Sequence, residues 1–291
     1  MRWLAIGIMG LTVACGSAPP SSTYGAGARG QDADDQGGAN SSDGRFGGDG
    51  TDTPATPPST SGTSEVWSHS ADTLYRLDPV TKQVTVIGKF SGCLGEVIDI
   101  ALDAQSNLFA TTPTALHRVD RQSAVCTKIA TGDYPNSLSF VPKGTVDANE
   151  EALVGYVGAT YVRIDTKSGA VTNIGSLGNS GLESSGDIVS VINGPTYLTV
   201  YGPGCADCLV EVNPKTGAIT KNWGALAHSD VYGIAFWAGS VYAFDAAGGL
   251  FELTFAGGKL GTKQILIPNA TTGLEFFGAG STTSAPVTAT R

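Results

Sequence analysis

LYRLDPVTKQVTVIG at residues 74–88, LHRVDRQSAVCTKIA at 116–130, YVRIDTKSGAVTNIG at 161–175, LVEVNPKTGAITKNW at 209–223 and LFELTFAGGKLGTKQ at 250–264 are five versions of one pattern. They begin 42, 45, 48 and 41 residues apart. Each reads as a strand, a tight turn and a second strand. The turns carry Asp78-Pro79, Asp120, Asp165 with Gly169, and Asn213-Pro214 with Gly217. These residue types bend a chain for distinct reasons: proline presets φ, glycine accepts positive φ, and Asp or Asn side chains cap nearby N–H groups.

A second element accompanies each copy. Its first strand reads DIAL at 99–102, SLSF at 137–140, DIVS at 187–190, GIAF at 233–236 and GLEF at 273–276. Its partner strand follows at 107–110, 152–155, 196–199 and 240–243, and the fifth partner stands at the other end of the repeats as EVWS, 65–68. Four strands per unit at this spacing predict propeller blades. The offset ends predict a closed ring, in which the last blade takes its innermost strand from 273–277 and its outer three from 65–88. Pairing the ends leaves no open sheet edge, whereas an open solenoid would have no need of the exchange. The expected fold is therefore all-β, a single five-bladed β-propeller over residues 64–280, with a disordered tail at 281–291.

The stretch DIALDAQSNLFATT and the turns LHRVDRQSA and YVRIDTKSG resemble extracytoplasmic propellers with NHL-like and YVTN-like repeats. The likeness spans 64–280 and implies an architecture shared by binding scaffolds, lactonases and lyases, without choosing among them.

The N-terminus predicts where the domain works. Met1-Arg2 is a short positive segment, and Trp3 to Val13 is an apolar run too short to span a bilayer, which takes about 20 residues. It closes on Thr12-Val13-Ala14-Cys15, which resembles the lipobox of bacterial lipoproteins except that Thr12 stands where leucine is usual. The resemblance implies cleavage before Cys15, lipid on its thiol and attachment to a membrane. Gly16 is not Asp, so the inner-membrane retention signal is absent and, in a cell with two membranes, the outer one is expected. Residues 16–63 contain no Leu, Ile, Val, Met or Trp. Such a segment cannot bury enough apolar surface to offset its ordering entropy and reads as a disordered linker, typically spanning roughly 35–42 Å.

The formal net charge of −9 excludes a basic nucleic-acid footprint. No cofactor motif and no metal-ligand spacing stands out, and a monomer is expected. Beyond Cys15, four cysteines remain, and an oxidising compartment favours disulfides among them. Three pairings are possible. A local bond between Cys205 and Cys208 would leave Cys93 with Cys126. The rival reading of Cys205-Ala206-Asp207-Cys208 is a redox motif or half of a zinc site.

Two functional classes follow. One is a non-catalytic binding or scaffold module for an envelope protein or glycan, with Tyr201, Trp223, Tyr232 and Trp237 near turns that could line a surface. The other is a hydrolase or lyase built on Asp99, Asp187 and Glu275 of the inner strands, or on His228 beside Asp230; five-bladed glycosidases resemble the carboxylate arrangement. The remaining histidines, His69 and His117, read as strand residues among apolar neighbours. The two classes differ in one geometric respect: an enzyme needs the central acids open to solvent.

Overall fold

The structure, a computed structural model, describes residues 64–289. The stretches expected to be signal peptide and linker, with Cys15, lie outside these residues, as do 290–291 of the expected tail. In chain order the first three strands are β1 (Val66–His69), β2 (Thr73–Leu77) and β3 (Val84–Lys89). Four-stranded sheets follow: β4 (Asp99–Leu102) to β7 (Cys126–Thr131) through β5 (Leu108–Thr112) and β6 (Ala115–Val119); β8 (Leu138–Val141), β9 (Ala152–Val157), β10 (Thr160–Ile164) and β11 (Val171–Ser176); β12 (Glu183–Ser190), β13 (Thr196–Gly202), β14 (Cys205–Val212) and β15 (Ile219–Ala225); and β16 (Val231–Trp237), β17 (Ser240–Asp245), β18 (Leu250–Thr254) and β19 (Gly261–Ile265). The last strand, β20 (Gly278–Ser281), pairs with β1 to give the fifth sheet, ordered β20-β1-β2-β3.

Five blades thus surround one axis, with β4, β8, β12, β16 and β20 innermost and each packed beside the next. The ring closes as its repeats predict, by exchange of the ends. The register Val66↔Ser281 to His69↔Gly278 fastens it. Burial grades outward as the geometry requires: β4, β8 and β20 are buried at every position, while the outermost β3, β11 and β15 present polar residues to water.

Two boundaries differ from the sequence reading. The closing inner strand is 278–281, not 273–277. Leu274 and Phe276 alternate like strand residues but pack sideways with Tyr75 and Phe244 between blades, and Leu274 lies in a turn closed on Thr271. The axis takes the small run Gly-Ala-Gly-Ser instead, because Gly280 lies so close to β4 that a Cβ would stand 3.2 Å from the Ile100 carbonyl. Residues 281–286, expected as the start of a disordered tail, are ordered against the ring. Thr282 and Thr283 are fully buried, and the segment crosses the far end of the channel. There Thr282 N–H donates to Glu65 O (3.1 Å), Ile192 N–H to Thr283 O (2.8 Å) and Ala238 N–H to Pro286 O (2.7 Å).

The repeated turn has one mechanism. The side-chain oxygens of Asp78, Asp120, Asp165 and Asn213 each accept the N–H groups two and three residues on, at 2.7–3.3 Å. The residue four on then turns left-handed: Lys82, Ala124, Gly169 and Gly217 have φ of 63, 57, 72 and 70°. At Gly217 the preceding blade also closes in, since a Cβ would lie 2.5 Å from the Cβ of Tyr161. Gly217→Ala is therefore expected to cost about 2–3 kcal/mol, combining left-handed strain with overpacking. Gly178→Ala, with φ of 72° but nothing within 4 Å, should cost about 1 kcal/mol. Chemical denaturation of both variants checks this; equal losses would mean that the blade contact contributes nothing.

Both disulfides form. Cys93–Cys126 ties the loop after β3 to the outer strand of the next blade, and Cys205–Cys208 closes the hairpin opening β14. With Cys205 and Cys208 joined to each other, no thiolate pair is left to serve as half of a zinc site.

Candidate functional site

Every inner strand has one edge that no other strand pairs, and these five edges meet at the axis. Buried N–H groups there need acceptors. At one level of the channel the donors are Ile100, Leu138, Ile188, Ile234 and Ala279, one from each blade. Two side chains satisfy all five. Asp99 accepts from Ile100 (2.8 Å) and Leu138; Asp187 accepts from Ile188 (2.6 Å), Ile234 (2.7 Å) and Ala279.

Both aspartates are 0% exposed. Burial pushes both carboxyls well above the usual range, and the charge of Asp187 raises Asp99 further. Asp187 receives three N–H donors and is the better-stabilised anion, so Asp99 is the member of the pair that holds a proton. Asp99 Oδ2 is buried without a hydrogen-bond partner.

His69, read from sequence as an ordinary strand residue, is the third polar group at this level. It sits on β1, outside the innermost ring, yet its ring reaches the axis because β20 has glycine at 278. A Cβ there would lie 2.3 Å from His69 Nε2 and 2.6 Å from Asp99 Oδ1. His69 Nδ1 is 2.8 Å from the Ser70 carbonyl, which only accepts, so Nδ1 carries the hydrogen. Nε2 stands 4.0 Å from Asp99 Oδ1, too far for a bond. Burial lowers the imidazole pKa to about 4, and it is neutral.

Glu275 is not part of this site. It precedes β20 and is exposed, so the structure does not assemble the three-acid set expected from sequence. His228 lies in the loop before β16, stacked on Phe251 at 3.6 Å between ring centroids. With Asp230 and Asp245 it borders a separate hollow. His117 is buried and accepts the Leu94 N–H (3.1 Å). Among the described residues, no group of three or more His, Cys, Asp or Glu side chains is placed to hold a metal ion.

One residue outward from the acid level the channel opens into a cup of about 310 Å³. Each blade supplies one wall residue, the one preceding its ring position: Ile98, Asn136, Gly186, Tyr232 and Phe277. Ala71, Glu96 and Val97 complete the lining. Tyr232 and Phe277 stand 6.4 Å apart with ring planes at 71°. Of the aromatics expected at a surface, only Tyr232 joins the cup. Trp223 packs against Phe255, Trp237 lies between blades, and Tyr201 is exposed with its hydroxyl on Glu183 (2.7 Å).

Two cup segments are held by the disulfide hairpin. Asp207 accepts from Ser185 Oγ (2.9 Å), next to Gly186, and from Val231 N–H (3.0 Å), next to Tyr232. Burial pushes its pKa up to about 6. The far end of the channel is closed by residues 282–286. Glu151 braces them, accepting from Ala104 N–H (2.8 Å) and from the Thr283 hydroxyl.

No protein-family model matches the chain, and a search of curated proteins returns no relative. Solved structures do align. A chain of the nidogen/laminin complex matches at 11% identity over 78% of this chain and 100% of its own, with a TM-score of 0.49. A protein of unknown function from Bacteroides caccae matches at 10% identity over 73% and 76%, with a TM-score of 0.39. The PQQ-bound aldose sugar dehydrogenase of Streptomyces coelicolor matches at 15% over 68% and 76%, with a TM-score of 0.38. Likenesses this distant bring no activity to the present chain.

Proposed function

We infer that this chain is a lipid-anchored recognition module of the cell envelope, a non-catalytic propeller presenting the cup at its channel mouth. The observation that carries the reading is the sealing of the central acids. Acid–base chemistry needs a carboxyl within reach of substrate, and Asp99 and Asp187 are fully buried, turned to the backbone N–H groups of the inner strands. The mouth offers instead a concave wall of one residue per blade, the form of a small-ligand site.

β1 starts at Val66, level with Ser281 at the sealed end, and finishes at His69 near the mouth, so the described chain begins on the face opposite the cup.

The test has two arms. In the producing cell, Cys15→Ser should move the protein from the membrane fraction to the soluble one and abolish incorporation of a labelled fatty acid. In a screen of glycans and envelope proteins, the exported chain should show binding that Tyr232→Ala reduces. Membrane retention and labelling unchanged by Cys15→Ser would sink the anchor. A glycosidase or lactonase activity abolished by Asp99→Asn would sink the non-catalytic reading.

A further inference from the structure

We propose that the cup binds a small organic ammonium ion, a cation whose charge is spread over N-methyl groups. The proposal rests on the cup being the recognition site and names its ligand class.

The lining selects by charge first. None of the residues bordering the cup is Lys, Arg or His, while Glu96 contributes a carboxylate at the rim. Asp99 and Asp187 lie one residue deeper than wall residues Ile98 and Gly186, buried beneath the floor. Asp230 stands beside the cup, accepting the Tyr232 hydroxyl at 3.3 Å. A phosphate or carboxylate entering here would meet anionic groups and no counter-charge. A cation meets attraction from the rim.

Shape and polarity select next. Tyr232 and Phe277 form a corner of two ring faces at 71°, and a methylated ammonium placed within about 6 Å of such faces is held by their quadrupoles. The apolar wall of Ile98 accepts the methyl groups without a directional bond. A sugar of the same size brings a ring of hydroxyls that each need a partner once desolvated. Asn136, Glu96 and the Tyr232 hydroxyl, itself turned to Asp230, are the polar side-chain groups of the lining, too few for that ring. A primary ammonium would likewise bury three N–H donors against few acceptors. A quaternary ammonium has none to satisfy.

The source of the ion follows from the same chemistry. A phosphocholine headgroup carries a phosphate next to its ammonium, which would fall against Glu96, so the cup favours the free cation over the lipid-borne one.

The full chain, purified in detergent, is titrated with choline by ligand-observed NMR and calorimetry. Its neutral carbon isostere 3,3-dimethylbutanol, soluble phosphocholine, phosphatidylcholine vesicles and glucose serve as comparison arms. Saturable choline binding is expected, with the isostere weaker by about 10-fold, the scale of one desolvated cation–π contact. Tyr232→Ala should weaken choline by about 10-fold and Tyr232→Phe should leave it nearly intact. Glu96→Gln, at an exposed rim position, should weaken it about 3-fold at low salt and little at high salt. Equal affinity for choline and its isostere would overturn the proposal, as would preference for the phosphocholine arms. Absence of choline binding overturns it too. If glycan or envelope-protein binding sensitive to Tyr232→Ala persists in that case, the recognition reading stands and only the ligand class falls; if that binding is also missing, both fall.

Discussion

Replacing Asp187 with alanine is expected to cost about 4–6 kcal/mol, because it leaves three buried N–H groups without an acceptor. That is a large part of the stability of an ordinary domain. The donors belong to Ile188, Ile234 and Ala279, so the loss is felt in three blades at once. Asp99→Asn is the informative contrast. Asp99 is the protonated member of the pair, and an amide keeps one acceptor oxygen while offering N–H where the acid offered O–H. A loss below about 1.5 kcal/mol is expected there. Denaturant unfolding of the two variants, disulfides intact, measures both. Comparable losses would show that the two carboxyls do not divide their roles in this way.

The raised Asp99 carboxyl also fixes a pH dependence. Asp99 has a folded pKa above its unfolded one, so its contribution is complete below the ordinary carboxylate range and is lost as pH rises toward the folded value. His69 runs the other way. Its pKa falls from 6.5 to about 4 on folding, so its contribution is present above 6.5 and lost as pH drops through 4. Between those values the two oppose each other. Asp207, raised to about 6, has lost its contribution by that pH. Between its unfolded and folded values the raised Asp99 carboxyl makes stability decline as pH rises. Unfolding curves at successive pH values would show that slope, and Asp99→Asn should flatten it. A slope that survives the substitution would place the proton elsewhere.

The parts of this molecule that could be read in advance are the repeated ones. Five versions of a strand–turn–strand pattern, with Asp or Asn bending four of the turns, specify blades because each version restates the same local physics. The closing strand was misread at 273–277 because Leu274 and Phe276 imitate a strand, while Gly278-Ala279-Gly280-Ser281 has too little apolar character to announce one. That displacement also misplaced Glu275. The ring of N–H donors has no residue signature at all, since it arises from five free strand edges meeting at the axis. Asp99 and Asp187 could be seen as inner-strand acids, but their acceptor role could not. His69 was hidden because it works through a gap left by a glycine 209 positions away in sequence, a neighbour only after the ring has closed.

That gap makes Gly278 the position where the smallest side chain matters most, and Gly278→Val is expected to cost about 4 kcal/mol. Overpacking a filled core costs about 1–3 kcal/mol, and here the added atoms fall on polar groups that have no room to leave. A Cβ alone would stand 2.3 Å from His69 Nε2 and 2.6 Å from Asp99 Oδ1. Moving Asp99 withdraws the acceptor from Ile100 and Leu138, adding at least about 1 kcal/mol. Gly278 also pairs with His69 in the closing strand register, so the strain lies at the seam of the ring. A double-mutant cycle with His69→Ala separates the causes. If the clash with the imidazole dominates, removing that ring should recover about 1–2 kcal/mol of the valine penalty as coupling between the two sites. Additive losses would mean that valine acts on the acid pair alone, and a Gly278→Val domain as stable as the parent would mean that the axis is not packed as described.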